Sequence, residues 1–265
     1  LADCPDILAD NLMGALRQHY ETSSIKAHCL SIIRDLCKDS PLNRAAMMTA
    51  GISDDLVRTL NTLTQDPAML EHGCAIIWSL GVDEAYRINL IRAGACSSIV
   101  KALKNFVAIK SLVRNAIGAL RALSPESEAR EIFGGIGASE AVSEAMRVHR
   151  SSFVIQLDGC AFLSNSAVDI EREIVAAVPF EELDTIVQAL VHHRHEISVI
   201  QGACFALKNY VHEEHNCRTL RKCKDVEELM LDIVPVSEDA LFVLERMEEC
   251  RMKDESVEDE ACSSL

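Results

Sequence analysis

Tyr86-Arg87-Ile88-Asn89-Leu90-Ile91-Arg92-Ala93-Gly94 is the stretch whose reading decides the fold. Arg87 stands seven residues before Gly94, and Leu90 and Ile91 follow it by three and four. That spacing predicts a short helix with one apolar face. The Gly then permits a sharp left-handed turn. Three other segments align with it without gaps: Asn43-Arg44 to Gly51, Ala129-Arg130 to Gly137, and Glu171-Arg172 to Pro179. The Arg spacings are 43, 43 and 42 residues. A degenerate fifth segment runs from Asn216 to Cys223, with Cys223 expected in the Gly place.

Downstream of Gly94 the pattern continues. Ile99, Val100, Leu103 and Phe106 mark the apolar face of a second helix. Leu112, Val113, Ala116, Ile117, Leu120 and Leu123 mark a third, apolar over much of its circumference and so packed on several sides. The third helices align at Trp78-Ser79-Leu80, Leu120-Arg121-Ala122, Leu163-Ser164-Asn165 and Leu207-Lys208-Asn209. An earlier copy is Ile33-Arg34-Asp35 and a late one Leu244-Glu245-Arg246. Gly73-Cys74-Ala75, Gly159-Cys160-Ala161 and Gly202-Ala203-Cys204 lie upstream, where small side chains let neighbouring helices approach closely. One such unit cannot bury its apolar face alone, and stacking makes a continuous core.

Asn/Tyr-Arg…Gly in the first helix and Ala206-Leu207-Lys208-Asn209 in the third resemble the armadillo-repeat family over roughly residues 25 to 250. The resemblance implies an all-α fold, a right-handed α-solenoid of about five to six three-helix repeats. HEAT repeats, the nearest alternative, have two helices per unit and lack the Gly-turn first helix.

Composition agrees. Gly 11 and Pro 6 in 265 residues, with 4% aromatics, leave too few turn formers and β-prone residues for a sandwich, barrel or propeller. At 49% hydrophobic the chain can bury a sizeable core. Its net charge of −15 repels phosphate backbones and anionic membranes, so neither nucleic acid nor a membrane is an expected partner. No apolar run reaches the roughly 20 residues of a membrane span. Asp3, Pro5, Asp6 and Asp10 interrupt the start where a signal peptide would need an apolar run. Most of the eleven cysteines, Cys29, Cys74, Cys96, Cys160 and Cys204 among them, fall in apolar helical patterns, not in a disulfide framework, and point to a reducing, cytoplasmic or nuclear setting.

Residues 1–252 read as the solenoid, its first and last repeats partial. Ala240, Leu241, Leu244 and Met247 are the expected buried stripe of a last helix. Residues 253–265 read as an acidic tail without order. Ser263-Ser264-Leu265 has the form of a C-terminal ligand for PDZ domains, against the simpler reading of an inert tail.

Little suggests chemistry. His192, His193, His195 and Glu196 could gather at a metal, yet they sit in a turn where polar residues are expected. His212-Glu213-Glu214-His215 lacks the i, i+4 histidine spacing of a zinc protease. Cys217 and Cys223 lie among Arg218, Arg221, Lys222 and Lys224, which would lower a thiol pKa. No enzyme and no cofactor are expected.

The family resemblance implies a peptide groove lined by third helices, with ladder Asn side chains holding an extended peptide backbone. The aligned ladder positions are Asp35, Leu80, Ala122, Asn165, Asn209 and Arg246. Importin-type members place Trp four residues earlier, where this chain has Ser31, Ile76, Gly118, Ala161 and Phe205. Trp78 falls off that site and is expected in the core. The positions beside the ladder read Arg34, Ser79, Arg121, Ser164 and Lys208, with Arg114 seven residues before Arg121. These bases either snorkel over the helices or steer an acidic segment into the groove. The expected site is Arg34, Arg114, Arg121, Asn165, Phe205, Lys208 and Asn209. The expected partner is an extended, net acidic protein segment. Two other readings are a regulatory clamp on a folded partner, as in armadillo-type Hsp70 exchange factors, and the targeting module of a larger enzyme such as a ubiquitin ligase.

Overall fold

A computed structural model describes residues 6–18, 23–62, 65–169, 174–175 and 177–263. Asp3, Pro5, Arg172 and the terminal Ser264-Leu265 lie outside the described residues. The chain divides into two compact units, 1–141 and 142–265.

In the first unit, α1 (Asp6–Gln18) and α2 (Ser23–Asp39) form a repeat with two described helices. A full triplet follows: α3 (Pro41–Thr49), α4 (Ile52–Thr62) and α5 (Pro67–Gly81). The next is α6 (Glu84–Arg92), α7 (Ala95–Asn105) and α8 (Lys110–Leu123), and then comes α9 (Ser127–Ile136). The division falls within α10 (Ala138–Val148). The second unit continues with α11 (Phe153–Ala167), α12 (Phe180–His192), α13 (Ile197–Tyr210), α14 (Glu214–Leu220), α15 (Val226–Ile233) and α16 (Glu238–Ser263). Third helices stack on third helices: α2 on α5 and α5 on α8 in the first unit, α11 on α13 and α13 on α16 in the second.

The signature residues have a structural reason. Gly51, Gly94 and Gly137 adopt φ of 82°, 95° and 66°, the left-handed region that a Cβ disfavours. Each turn joins a first helix to a second. The signature Arg reaches back to the carbonyl end of the preceding third helix. Arg44 Nη1 donates to Cys37 O at 3.1 Å, Arg87 Nε to Gly81 O at 2.9 Å, and Arg130 Nη1 to Ser124 O at 3.1 Å. These carbonyls lack helical partners and carry the negative end of the helix dipole. Two of the same arginines also hold an acid at the N-cap of the next first helix. Arg44 pairs with Asp83 at 2.6 Å and Arg87 with Glu126 at 3.2 Å.

The upstream small residues act as expected. A Cβ on Gly73 would lie 2.2 Å from Leu60 Cδ2, and one on Gly159 would lie 2.4 Å from Met146 Sδ. Second helices therefore press directly onto third helices.

Four expectations need correction. The fourth repeat has no described first helix. Val168–Asp169 and Ile174–Val175 pair there as two short antiparallel strands, consistent with a β-branched local sequence. Pro179 has φ −62° and does not make the left-handed turn, which its ring forbids. In the fifth repeat Asp225, with φ 55°, takes the left-handed place, not Cys223. The last helix buries Ala240, Val243, Met247 and Cys250, while Leu241 is exposed. That helix runs from Glu238 to Ser263. Lys253 bonds Glu214 at 2.6 Å, and Asp254 pairs with Arg218 at 2.8 Å and Arg221 at 3.2 Å.

Replacing Arg87 with Met should lower stability by about 2 kcal/mol in urea unfolding, since charged hydrogen bonds to a half-buried end are lost. Replacing the exposed Arg92 with Met should cost less than about 0.5 kcal/mol. Asp225→Gly should raise stability by about 1 kcal/mol by removing the left-handed Cβ strain.

Candidate functional site

In the first unit the ladder faces of α2, α5 and α8 enclose a cleft of about 590 Å³. Arg34, Lys38, Trp78, Ser79, Arg114 and Asn115 line it together with Asp35, Asp39 and Glu71. Arg34 and Arg114, expected on the same face from sequence, are thus brought together. Arg121, also expected there, is half-buried in the last turn of α8.

The ladder register of α5 differs from the expected one. Leu80 is fully buried, so it cannot be a ladder residue. Arg87 and Arg130 each bond a carbonyl six residues upstream, Gly81 and Ser124, which sets the register at 43 residues. Ser79 is then the counterpart of Ala122, and Trp78 the counterpart of Arg121. Trp78 is half-exposed on the cleft wall, not in the core.

Its ring lies against the next third helix at Gly118. A Cβ built on Gly118 would stand 2.6 to 2.8 Å from Trp78 Cδ2, Cε3 and Cε2. Gly118 is the residue four before the ladder position. The aromatic wall is therefore supplied from the preceding repeat. The signal in the sequence was Gly118 itself, a helix-disfavouring residue inside a helix.

Charges in the cleft are partly committed. Arg34 pairs with Asp35 at 2.6 Å, and its Nη1 donates to His72 Nδ1 at 2.9 Å. Burial and then Arg34 hold the His72 pKa below its ordinary value, which keeps the ring a neutral acceptor. Glu71 accepts a hydrogen bond from Ser111 Oγ at 2.6 Å. Among the described residues Arg114, Lys38 and Asp39 have no ion pair, and Arg114 is exposed. The cleft can therefore offer a guanidinium beside an indole, with the Asn115 amide as donor and acceptor.

In the second unit Asn165, Lys208 and Asn209 are half-exposed and Phe205 is 48% exposed. Lys208 is not a free base. Its Nζ bonds Asp239 at 2.7 Å and lies 5.6 Å from the Phe242 ring centroid. Asn209 Nδ2 donates to Ser164 Oγ at 2.8 Å, and Ser164 is buried. The basic strip read from sequence is thus offset here by an acid from α16.

The remaining clusters are occupied locally. His193 is buried with Nε2 2.7 Å from Arg150 O, and His192 Nδ1 lies 2.7 Å from Gln188 O. No three His, Cys, Asp or Glu side chains converge on a metal site among the described residues. Among the described residues nine cysteines are buried and in no disulfide. Burial pushes the Cys74, Cys160, Cys217 and Cys223 thiols up to about 12, against the lowering that nearby cations alone would give. No helix among the described residues is long and apolar enough to cross a membrane.

The fold matches designed armadillo repeat proteins. One has a TM-score of 0.71 at 17% identity, covering 90% of this chain and 99% of that one. A second, computationally designed for modular peptide recognition, has a TM-score of 0.73 at 17% identity over 90% and 99% of the two chains. A third, solved in complex with the peptide (KR)4, has a TM-score of 0.69 at 16% identity, again over 90% and 99%. No protein-family model and no curated protein sequence matches the chain. The protein therefore has an armadillo-like repeat fold, an all-α solenoid, with no specific member indicated.

Gly118→Ala should force Trp78 off the cleft wall. The expected result is a shift in the emission of this sole Trp and a loss of about 1–3 kcal/mol in unfolding. An unchanged spectrum would show that the ring does not rest on Gly118.

Proposed function

We propose that this chain is a non-enzymatic interaction scaffold of the cytoplasm that binds an extended, net acidic protein segment along the ladder faces of its third helices. The observation that carries the reading is the first-unit cleft, where the exposed Arg114 guanidinium has no ion pair among the described residues and lines the same cleft as Asn115 and Trp78. A carboxylate of the segment would take Arg114 as a charge-assisted partner. Asn115 and Ser79 would meet peptide groups, and Trp78 would cover an aliphatic stem. Arg34 and Arg121 extend the basic side. In the second unit Asn165, Phe205, Lys208 and Asn209 would serve the same role, once Lys208 exchanges Asp239 for a carboxylate of the segment. Peptide binding by designed proteins of this fold supports the class of ligand. The complex with (KR)4 belongs to that protein, and the uncommitted cations here favour a segment of the opposite sign.

Titrating the full chain with an extended Asp/Glu-rich peptide should change Trp78 fluorescence. Arg114→Glu should weaken binding by roughly tenfold, about 1.4 kcal/mol, and flatten its dependence on salt. Equal affinity in a folded Arg114→Glu protein, or stronger binding of a Lys/Arg-rich peptide, would overturn the reading.

A further inference from the structure

Arg34, a lining residue of the first-unit cleft, is held on two sides. Its Nε donates to Asp35 Oδ1 at 2.8 Å, and its Nη2 lies 2.6 Å from the same oxygen. Its Nη1 stands 2.9 Å from Nδ1 of the half-buried His72 on α5. A guanidinium has donors only and keeps its charge at any ordinary pH, so Nδ1 is the acceptor of that bond. His72 is therefore neutral there, with its proton on Nε2.

The bond exists only while the ring stays neutral. A proton on Nδ1 turns the acceptor into a donor, and two donors then face each other across 2.9 Å. The pair has gained a positive charge and lost its acceptor. A carboxylate supplies both needs, since its two oxygens accept from neighbouring donors and its charge is negative.

The charges around His72 divide by sign. Burial and Arg34 hold its pKa below the ordinary value, while Glu71, Asp35 and Asp66 act in the opposite direction. These acids have other partners. Asp35 is on Arg34, Glu71 accepts from Ser111 Oγ of α8 at 2.6 Å, and Asp66 accepts from the N–H groups of Ala68 and Met69 at the start of α5. The fold thus satisfies the neutral pair, and the protonated pair calls for an anion from outside.

We propose that Arg34 and His72 form a proton-gated receptor for a side-chain carboxylate of the bound segment, closed when His72 is neutral and open when it is protonated. The inference rests on the reading of the cleft as the site of an extended acidic segment, and adds the residue pair that makes binding depend on pH. Protonation and binding favour each other by the same factor, because each stabilises the state that the other prefers. The bound segment therefore raises the His72 pKa. The gain in affinity is fully present below the pKa of the free ring and is lost as pH rises through the pKa of the complex. Carboxylates of the segment titrate lower and with opposite sign, since protonating them removes the charge that the cleft attracts.

The full chain is titrated with an extended Asp/Glu-rich peptide, read by the anisotropy of a dye on the peptide, at about pH 7.5 and about pH 5.5, on either side of histidine titration. Affinity should be at least roughly fivefold higher at the lower pH. Gln at this position offers Arg34 an amide oxygen and does not titrate, so in His72→Gln the ratio of the two affinities should fall to about one. Arg114→Glu lies outside the pair and should weaken binding at both pH values while keeping the ratio. The ring proton resonance of His72, followed by NMR in the wild-type chain, should titrate higher with peptide bound than without, which tests the coupling without any variant. A ratio of about one in the wild-type chain, a pH gain that persists in folded His72→Gln, or a ring titration indifferent to the peptide would overturn the inference and leave the cleft reading in place. Absence of peptide binding at either pH would overturn both.

Discussion

The stack depends on one side chain per repeat. A third helix ends with carbonyls that have no helical partner, and the next first helix begins with N–H groups in the same condition. Arg87 answers the carbonyl end directly, through Gly81 O. It also holds Glu126, whose carboxylate stands at the N-cap of α9. Arg44 does the same with Cys37 O and Asp83. A planar guanidinium with several donors can hold a carbonyl end and a carboxylate of the following repeat at once, and an ammonium cannot do so with fixed direction, although neither carboxylate bonds a backbone N–H of its helix. The 43-residue period is thus tied to a chemical requirement of the joint between repeats. Where the Arg is replaced, the joint changes. In the fifth repeat Asn216 Nδ2 donates to Tyr210 O at 3.1 Å while its Oδ1 accepts from Val178 N at 2.8 Å.

The repeats were legible for that reason. Arg44, Arg87 and Arg130, with Gly51, Gly94 and Gly137, are constrained by backbone groups close in sequence. The register of α5 was not legible, because Ile76, Ile77 and Leu80 are all apolar and all buried. A helix packed on most of its circumference has no hydrophobic phase that identifies the exposed residue. Two alignments one residue apart fit the sequence equally well, and only the arginine–carbonyl bonds decide between them. The replacement of Gly by Asp225 was hidden for a related cause. Asp tolerates the left-handed region better than most residues, so no glycine marks the turn.

The charges of the candidate site were legible as residues and not as partners. Asp239 lies 31 residues from Lys208 in sequence, and nothing local indicates that the two meet. Arg34 is tied to its neighbour Asp35 and to His72, 38 residues away. A strip of aligned bases is therefore reduced by its own fold. What survives is a contrast between committed cations and uncommitted ones. On a chain of net charge −15 an uncommitted exposed Arg is surrounded at distance by its opposites, so its local field is short-ranged and specific to what enters the cleft.

Corresponding positions on the ladder faces show where the molecule is free to vary. Lys110 of α8 corresponds to Phe153 of α11 and Ile197 of α13, and Arg114 to Leu157 and Gln201. Gly118 corresponds to Ala161 and Phe205. Charge, apolar bulk and absence of a side chain all occur at these sites, whereas Leu120, Leu163 and Leu207 are Leu in all three helices and fully buried. Packing between third helices fixes the latter and places no demand on the former. Chemistry that the stack does not require, in residues facing outward from it, is the chemistry left for partners. On that ground the first unit offers a charged cleft with one aromatic wall, and the second exposed apolar side chains at Phe153, Ile197 and Phe205.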